Sequence, residues 1–385
     1  MNNRQKNIRS TLIKIISIIL IILPLFSSCL KEVVDSRQRL PERTILFYMA
    51  GDNSLSEETQ EKVDALAAAW NIAGENRLLV YQDRGGENAP RLLEIKAGSN
   101  GKGMIKLLEE YKDENSATTK VFAHVLNDMV RYCPSSDYGL VLFSHSSGWL
   151  PTGAFAQPRS VATDGDTEFS LMDFARTIPN GQFRFIVFES CLMAGVEVAY
   201  ELKDKTSQIL ASSAEILSPG FTPLYGKMFE YLYKLTPDLT GFANEYYNYC
   251  NGFSDDSRSA TVSVINTAGL ALLKSLLARS ESNVEHWEWV ERDGIQHFDR
   301  REKDYLFYDL EGYIRTIGTQ EEINELAGIL ERSVLYKAAT EKFMSGTPYG
   351  FLIKQHCGLT IYIPVAKFRE LNTQRKRLLL FSDNQ

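Results

Sequence analysis

Apolar runs rich in β-branched and aromatic residues recur along the chain at Thr44–Met49, Leu78–Gln82, Leu92–Ile95, Leu140–Phe143, Phe183–Phe188 and Ile209–Ser212. Each is short, near-continuous and bounded by polar or small residues, the pattern of a strand buried on both faces. Between them lie stretches with apolar residues three and four apart, such as Val63, Leu66, Ala67 and Trp70, which predict helices. Ser54 or Ser56 stands where it could cap the first of these. This alternation predicts an α/β fold, a sheet with helices on both faces. Ala260–Ile265 and Leu359–Ile363 read as late strands that extend the same sheet. The aromatic-rich region 221–313, with Tyr246-Tyr247, Trp287 and Trp289, reads mainly as packing. No fixed-period repeat is visible.

Two runs empty into loops that carry chemistry: Tyr138–Trp149 (YGLVLFSHSSGW) and Phe183–Leu202 (FRFIVFESCLMAGVEVAYEL). The first loop presents His145 and the second Cys191. Ligand sites in open α/β sheets gather outside the carboxyl ends of the strands, so the two side chains are expected to face one crevice. An imidazole beside a thiol is the minimal equipment for nucleophilic acyl transfer. A helix starting at Leu192 would also set Cys191 against a positive dipole end and lower its pKa. Taken alone, either residue is more often structural. The order, His first and Cys 46 positions later, is that of caspases, whose His stands about 50 residues upstream.

On these residues the chain resembles the clostripain-like cysteine peptidases, which have a caspase-like fold. Tyr48–Leu55 (YMAGDNSL) is similar to the family's opening strand and Asp-Asn turn, and His145–Trp149 (HSSGW) to its His-Gly-Gly-Gly-Trp segment. Glu189–Leu202 resembles the Asp-Ala-Cys-Leu-Met segment that carries the nucleophile. Ala162–Ile178, Ala211–Gly220, Tyr308–Tyr313 and Gly358–Pro364 follow in family order. The resemblance implies a three-layer α/β/α sandwich around a mostly parallel sheet with a C-terminal extension, and a His145/Cys191 dyad. It implies an oxyanion hole from the N–H groups of Ser146 and Cys191.

Three departures qualify what carries over. Serines replace two glycines in HSSGW. Glu189 stands where the family has Asp two residues before the nucleophile, an acid that lines the pocket for a basic P1 side chain. Ala214-Glu215 replaces a commonly acidic pair. The expectation is therefore Arg or Lys at P1, with Glu189 as the main counter-charge and Glu215 as the second.

Residues 4–14 carry four basic residues and no acid, Ile15–Phe26 is apolar apart from Ser17, and Ser27-Ser28-Cys29 follows. This reads as a signal peptide, too short in its apolar core for a bilayer span of about 20 residues. Cys29 after small residues resembles a bacterial lipobox and is the expected lipidation site. Removing residues 1–28 takes away four basic residues and no acids, moving the formal charge from −7 to −11. That disfavours nucleic acid as a partner. Cys133, Cys250 and Cys357 read as core thiols rather than a disulfide framework. The chain lacks CxxC and HExxH motifs. Gly98–Gly103 lacks Walker spacing and reads as a turn. Asp164, Asp166 and Glu168 are weak calcium candidates; a solvated loop, with Asp166 or Thr167 capping the helix near Leu171, is the favoured reading.

The expected organisation is a signal peptide over 1–28, a tether over 29–42 and a peptidase domain over 43–385, divided into a core to 220 and a sheet extension from 221. The expected function is a lipid-anchored, monomeric cysteine endopeptidase of the cell envelope, periplasmic or surface-facing, acting on polypeptides without a required cofactor. The alternative is a catalytically silent surface lipoprotein that binds peptides or glycans. Arg159, the one basic residue between His145 and Leu171, is the expected processing site.

Overall fold

The computed structural model describes residues 43–72, 74–98, 102–151, 160–300 and 304–382. Cys29, Arg159 and the middle of Gly98–Gly103 lie outside them.

The main sheet is built from β1 (Thr44–Ala50), β2 (Arg77–Asp83), β3 (Arg91–Ala97), β4 (Gly103–Glu110) and β5 (Tyr138–Phe143). A hairpin, β6 (Ala162–Asp164) and β7 (Thr167–Phe169), stands apart from it. The sheet resumes with β8 (Phe183–Glu189), β9 (Thr206–Ala211) and β10 (Thr261–Asn266). A two-residue strand β11 (Tyr308–Asp309) again stands outside, and β12 (Val334–Ala339) forms the sheet's last edge. Spatial order in the main sheet is β12-β10-β9-β8-β5-β1-β2-β3-β4. The five central strands are parallel, and both flanks run antiparallel.

β1 shows why the central runs are apolar throughout. Leu46, Tyr48 and Ala50 pack into one core, while Ile45, Phe47 and Met49 pack into the other. The first core takes the helices Thr119–Tyr132, Leu171–Thr177 and Leu310–Ile317. The second takes Ser56–Ala69, Tyr225–Leu232 and Leu239–Asn251. Period-2 alternation thus feeds two opposite layers, giving the expected three-layer sandwich.

Four details differ from the sequence reading. Helix Ser56–Ala69 has no side-chain cap: Leu55 occupies the N-cap, and Ser56 Oγ donates instead to Arg84 O at 2.7 Å. The helix after Cys191 begins only at Val196, with Gly195 as its cap. Leu359–Ile363 does not extend the main sheet. Thr360–Ile361 pairs antiparallel with β11, and β12 takes the edge beside β10 instead. Finally, Asp166 and Thr167 belong to the β6–β7 hairpin, and Ser170 caps Leu171–Thr177 by accepting from Asp173 N–H at 3.1 Å. The segment after 220 shares the sheet through β10 and β12 and makes no second sheet of comparable size among the described residues.

Candidate active site

Phe143, the last residue of β5, registers against Glu189, the last of β8. His145 and Cys191 each follow two residues later, so parallel pairing carries them side by side past the carboxyl edge. β1 ends one strand away, with Met49 opposite Phe143. Its loop sends Ser54 Oγ to 2.7 Å from His145 Nε2. His145, Cys191, Ser146, Glu189 and Glu215 all line one cleft of about 550 Å³.

The two catalytic-type loops are tied to each other. Ser146 Oγ donates to Cys191 O at 2.5 Å, and Ser147 N–H donates to Ser160 O at 2.9 Å. Gly148 has φ +67°, and a Cβ there would meet Leu192 O at 2.8 Å. Neither serine is among the residues with positive φ. The turn therefore needs glycine only at its third position, and serines fit the first two without strain. Leu192 takes φ +63° and donates its N–H to Ala214 O at 2.9 Å, while Ala194 N–H donates to Ser212 O. Residues 192–194 thus run beside the end of β9 rather than winding into a helix, which removes the expected dipole at Cys191. The Cys191 thiol is partly exposed, 4.0 Å from Ile216 O. Cys133, Cys250 and Cys357 are buried, and burial pushes each thiol up, to about 11 at Cys133 and Cys250.

The acidic residues behave differently from the expectation. Glu189 is in the cleft wall, but its side chain is fully buried and already paired. Lys62 Nζ lies 2.6 Å from Glu189 Oε1, with both side chains at 0% exposure. Phe221 N–H donates to the same oxygen at 2.7 Å, and Tyr225 OH donates to Oε2 at 3.0 Å. Burial and the Glu189 charge hold the Tyr225 phenol well above its ordinary pKa. Glu215 meets Arg300 Nε at 3.1 Å. The calcium candidates do not converge: Asp164 accepts from Ser116 Oγ at 2.8 Å, while Glu168 accepts from Ser160 N–H at 3.3 Å. Among the described residues no cluster of three metal-donor side chains occurs.

Lys62, Tyr225 and Arg300 carry no reading from sequence, and Ser54 only one as a helix cap. For Lys62 a clue was available. It adjoins Val63 and stands four residues before Leu66, so helical spacing places it on the apolar face.

A clostripain-family profile matches residues 47–345. The chain belongs to the clostripain family. Its members are cysteine-type peptidases, and the fold agrees. A C11 protease from Parabacteroides distasonis, described as an inactive zymogen, is 28% identical with a TM-score of 0.78, covering 89% of this chain and 97% of that one. A secreted C11 cysteine protease of Bacteroides thetaiotaomicron, "iotapain", superposes with TM-score 0.77 at 22% identity, covering 89% and 99%. A Bacteroides thetaiotaomicron C11 protease bound to an irreversible peptide inhibitor gives 0.74 at 24%, covering 88% and 98%. No curated protein sequence matches significantly.

Proposed function

We propose that this clostripain-family chain is an active cysteine endopeptidase in which Cys191 is the nucleophile and His145 the base. The observation that carries this reading is the register of Phe143 against Glu189, which sets both loops at one edge of the sheet beside one cleft of about 550 Å³. Ser54 Oγ lies 2.7 Å from His145 Nε2; in this reading Nε2 carries the proton toward Ser54, which leaves Nδ1 for proton exchange with the thiol. The thiolate adds to the scissile carbonyl, and the N–H groups of Ser146 and Cys191 receive the oxyanion. Collapse of the tetrahedral intermediate breaks the C–N bond, with His145 returning the proton to the leaving amine. Water activated by His145 then hydrolyses the thioester.

The test is cleavage of a fluorogenic peptide panel by wild type, Cys191→Ala and His145→Ala. Loss of all turnover in the first variant and at least about 100-fold loss in the second are expected. Undiminished cleavage by either overturns the assignment.

Export and anchoring rest on the basic, apolar and small-residue order of residues 4–29. The mature chain begins at a lipidated Cys29 in this reading. Cys29→Ser should leave the membrane fraction or stall in processing, and a variant that partitions like wild type contradicts the anchor.

A further inference from the structure

In this peptidase reading, a basic P1 side chain needs an acid with charge to spare. Four acids line the cleft. Glu189 and Glu215 each hold a cation of the chain's own, Glu58 shares Lys62, and the buried Asp299 carboxylate accepts the backbone N–H groups of Leu306 and Phe307.

The Lys62 ammonium is fully occupied. Its three N–H donors reach Glu189 Oε1 at 2.6 Å, Thr222 Oγ1 at 2.8 Å and Pro219 O at 3.2 Å. It also sits 4.4 Å above the Phe143 ring, a residue that lines the cleft. Three donors likewise surround Glu189, from Lys62, Phe221 and Tyr225. Such a buried, fully bonded pair exposes little net field, and it will not release either partner to a passing ligand. Glu58 is 3.4 Å from the same ammonium with an 18% exposed side chain, so solvent screens it and it shares a cation already committed. Arg300 neutralises Glu215 at the other wall. Gly220 closes the floor, since a Cβ there would meet Glu189 Oε1 at 2.6 Å.

We infer that Lys62 stands in for the substrate's P1 cation, so that the pocket selects uncharged P1 side chains and Lys62 is the specificity-determining residue. A substrate guanidinium would enter beside a fixed ammonium, and every carboxylate lining the cleft already has partners within the chain. This departs from the Arg or Lys preference that the family resemblance implies. It also leaves any cut after Arg159 to another protease, so such a cut should persist in Cys191→Ala.

The test compares kcat/KM for peptides differing only at P1, arginine against citrulline and lysine against norleucine, in wild type and Lys62→Met. Wild type should cleave the neutral member of each pair at least as fast as the charged one. Lys62→Met leaves Glu189 in need of a cation and should raise the charged-to-neutral ratio at least tenfold. Wild type favouring arginine or lysine, or a ratio unmoved in folded Lys62→Met, overturns the inference while leaving the peptidase reading intact. The wild-type ratios stand even if the variant does not fold. No cleavage at any P1, together with no labelling of Cys191 by a thiol-directed peptidyl inhibitor, would instead remove the peptidase reading on which the inference rests.

Discussion

Gly148 and Leu192 both hold left-handed backbone, and they meet where the His145 loop crosses the Cys191 loop. A Cβ on Gly148 would press on the Leu192 carbonyl and on the buried Phe307 ring, so Gly148→Ala should destabilise the fold by about 1–3 kcal/mol. It should also displace the Cys191 carbonyl from Ser146 Oγ, lowering kcat more than a surface substitution of equal cost. Thermal melts and turnover on one preparation check this. Ser54→Ala removes the group that orients the imidazole through Nε2. Its expected signature is a roughly tenfold fall in kcat with KM nearly unchanged. Unchanged kcat would mean the ring is held by other contacts. At this scale His145 and Cys191 were legible because strand-end polar residues break an apolar run. Ser54 was not, because a serine ahead of a helix reads first as a cap. Arg300 was not legible either: it stands 85 positions from Glu215, with no local pattern to join them.

Among elements, the central parallel strands were the most readable part of the chain, since strands buried on both faces need continuous apolar runs. β12 was not: its residues alternate between half-buried and exposed at an edge, which dilutes the pattern. The helix after Cys191 starts later than its apolar pattern suggests because residues 192–194 turn through left-handed Leu192 and bond to the chain just after β9, a tertiary override of local propensity. Asp309 illustrates a junction that outweighs its size. It caps Leu310–Ile317 by accepting from Gly312 N–H at 2.9 Å, and its other oxygen accepts from the buried Cys357 N–H at 2.7 Å. Asp309→Ala should cost about 2–4 kcal/mol, a lost cap plus an orphaned buried donor. Chemical denaturation measures it, and a loss under about 1 kcal/mol would contradict this account.

Across the molecule, three-layer packing buries acids that respond to pH. Burial and the neighbouring Asp164 charge push the Asp83 carboxyl up to about 7, against about 3.9 in the unfolded chain. Between those values the folded state keeps a proton that the unfolded state has lost. Stability due to Asp83 is thus full below about pH 4 and is lost as pH rises through 7. Asp83→Asn should flatten that loss and gain at least about 1 kcal/mol over wild type at pH 8, with little change at pH 4. Denaturant unfolding at the two pH values would show it, and a variant parallel to wild type would contradict it. Cys191, the one partly exposed thiol among the described residues, is the proposed nucleophile, and His145 the group that activates it. The most direct measurement of this pairing is the site and rate of labelling by a thiol-directed peptidyl inhibitor, read by peptide mass mapping in wild type and His145→Ala. The account predicts one equivalent of label, on Cys191, with Cys133, Cys250 and Cys357 untouched and the rate at least about 100-fold lower in His145→Ala. Label on another cysteine, or an equal rate without His145, would contradict it.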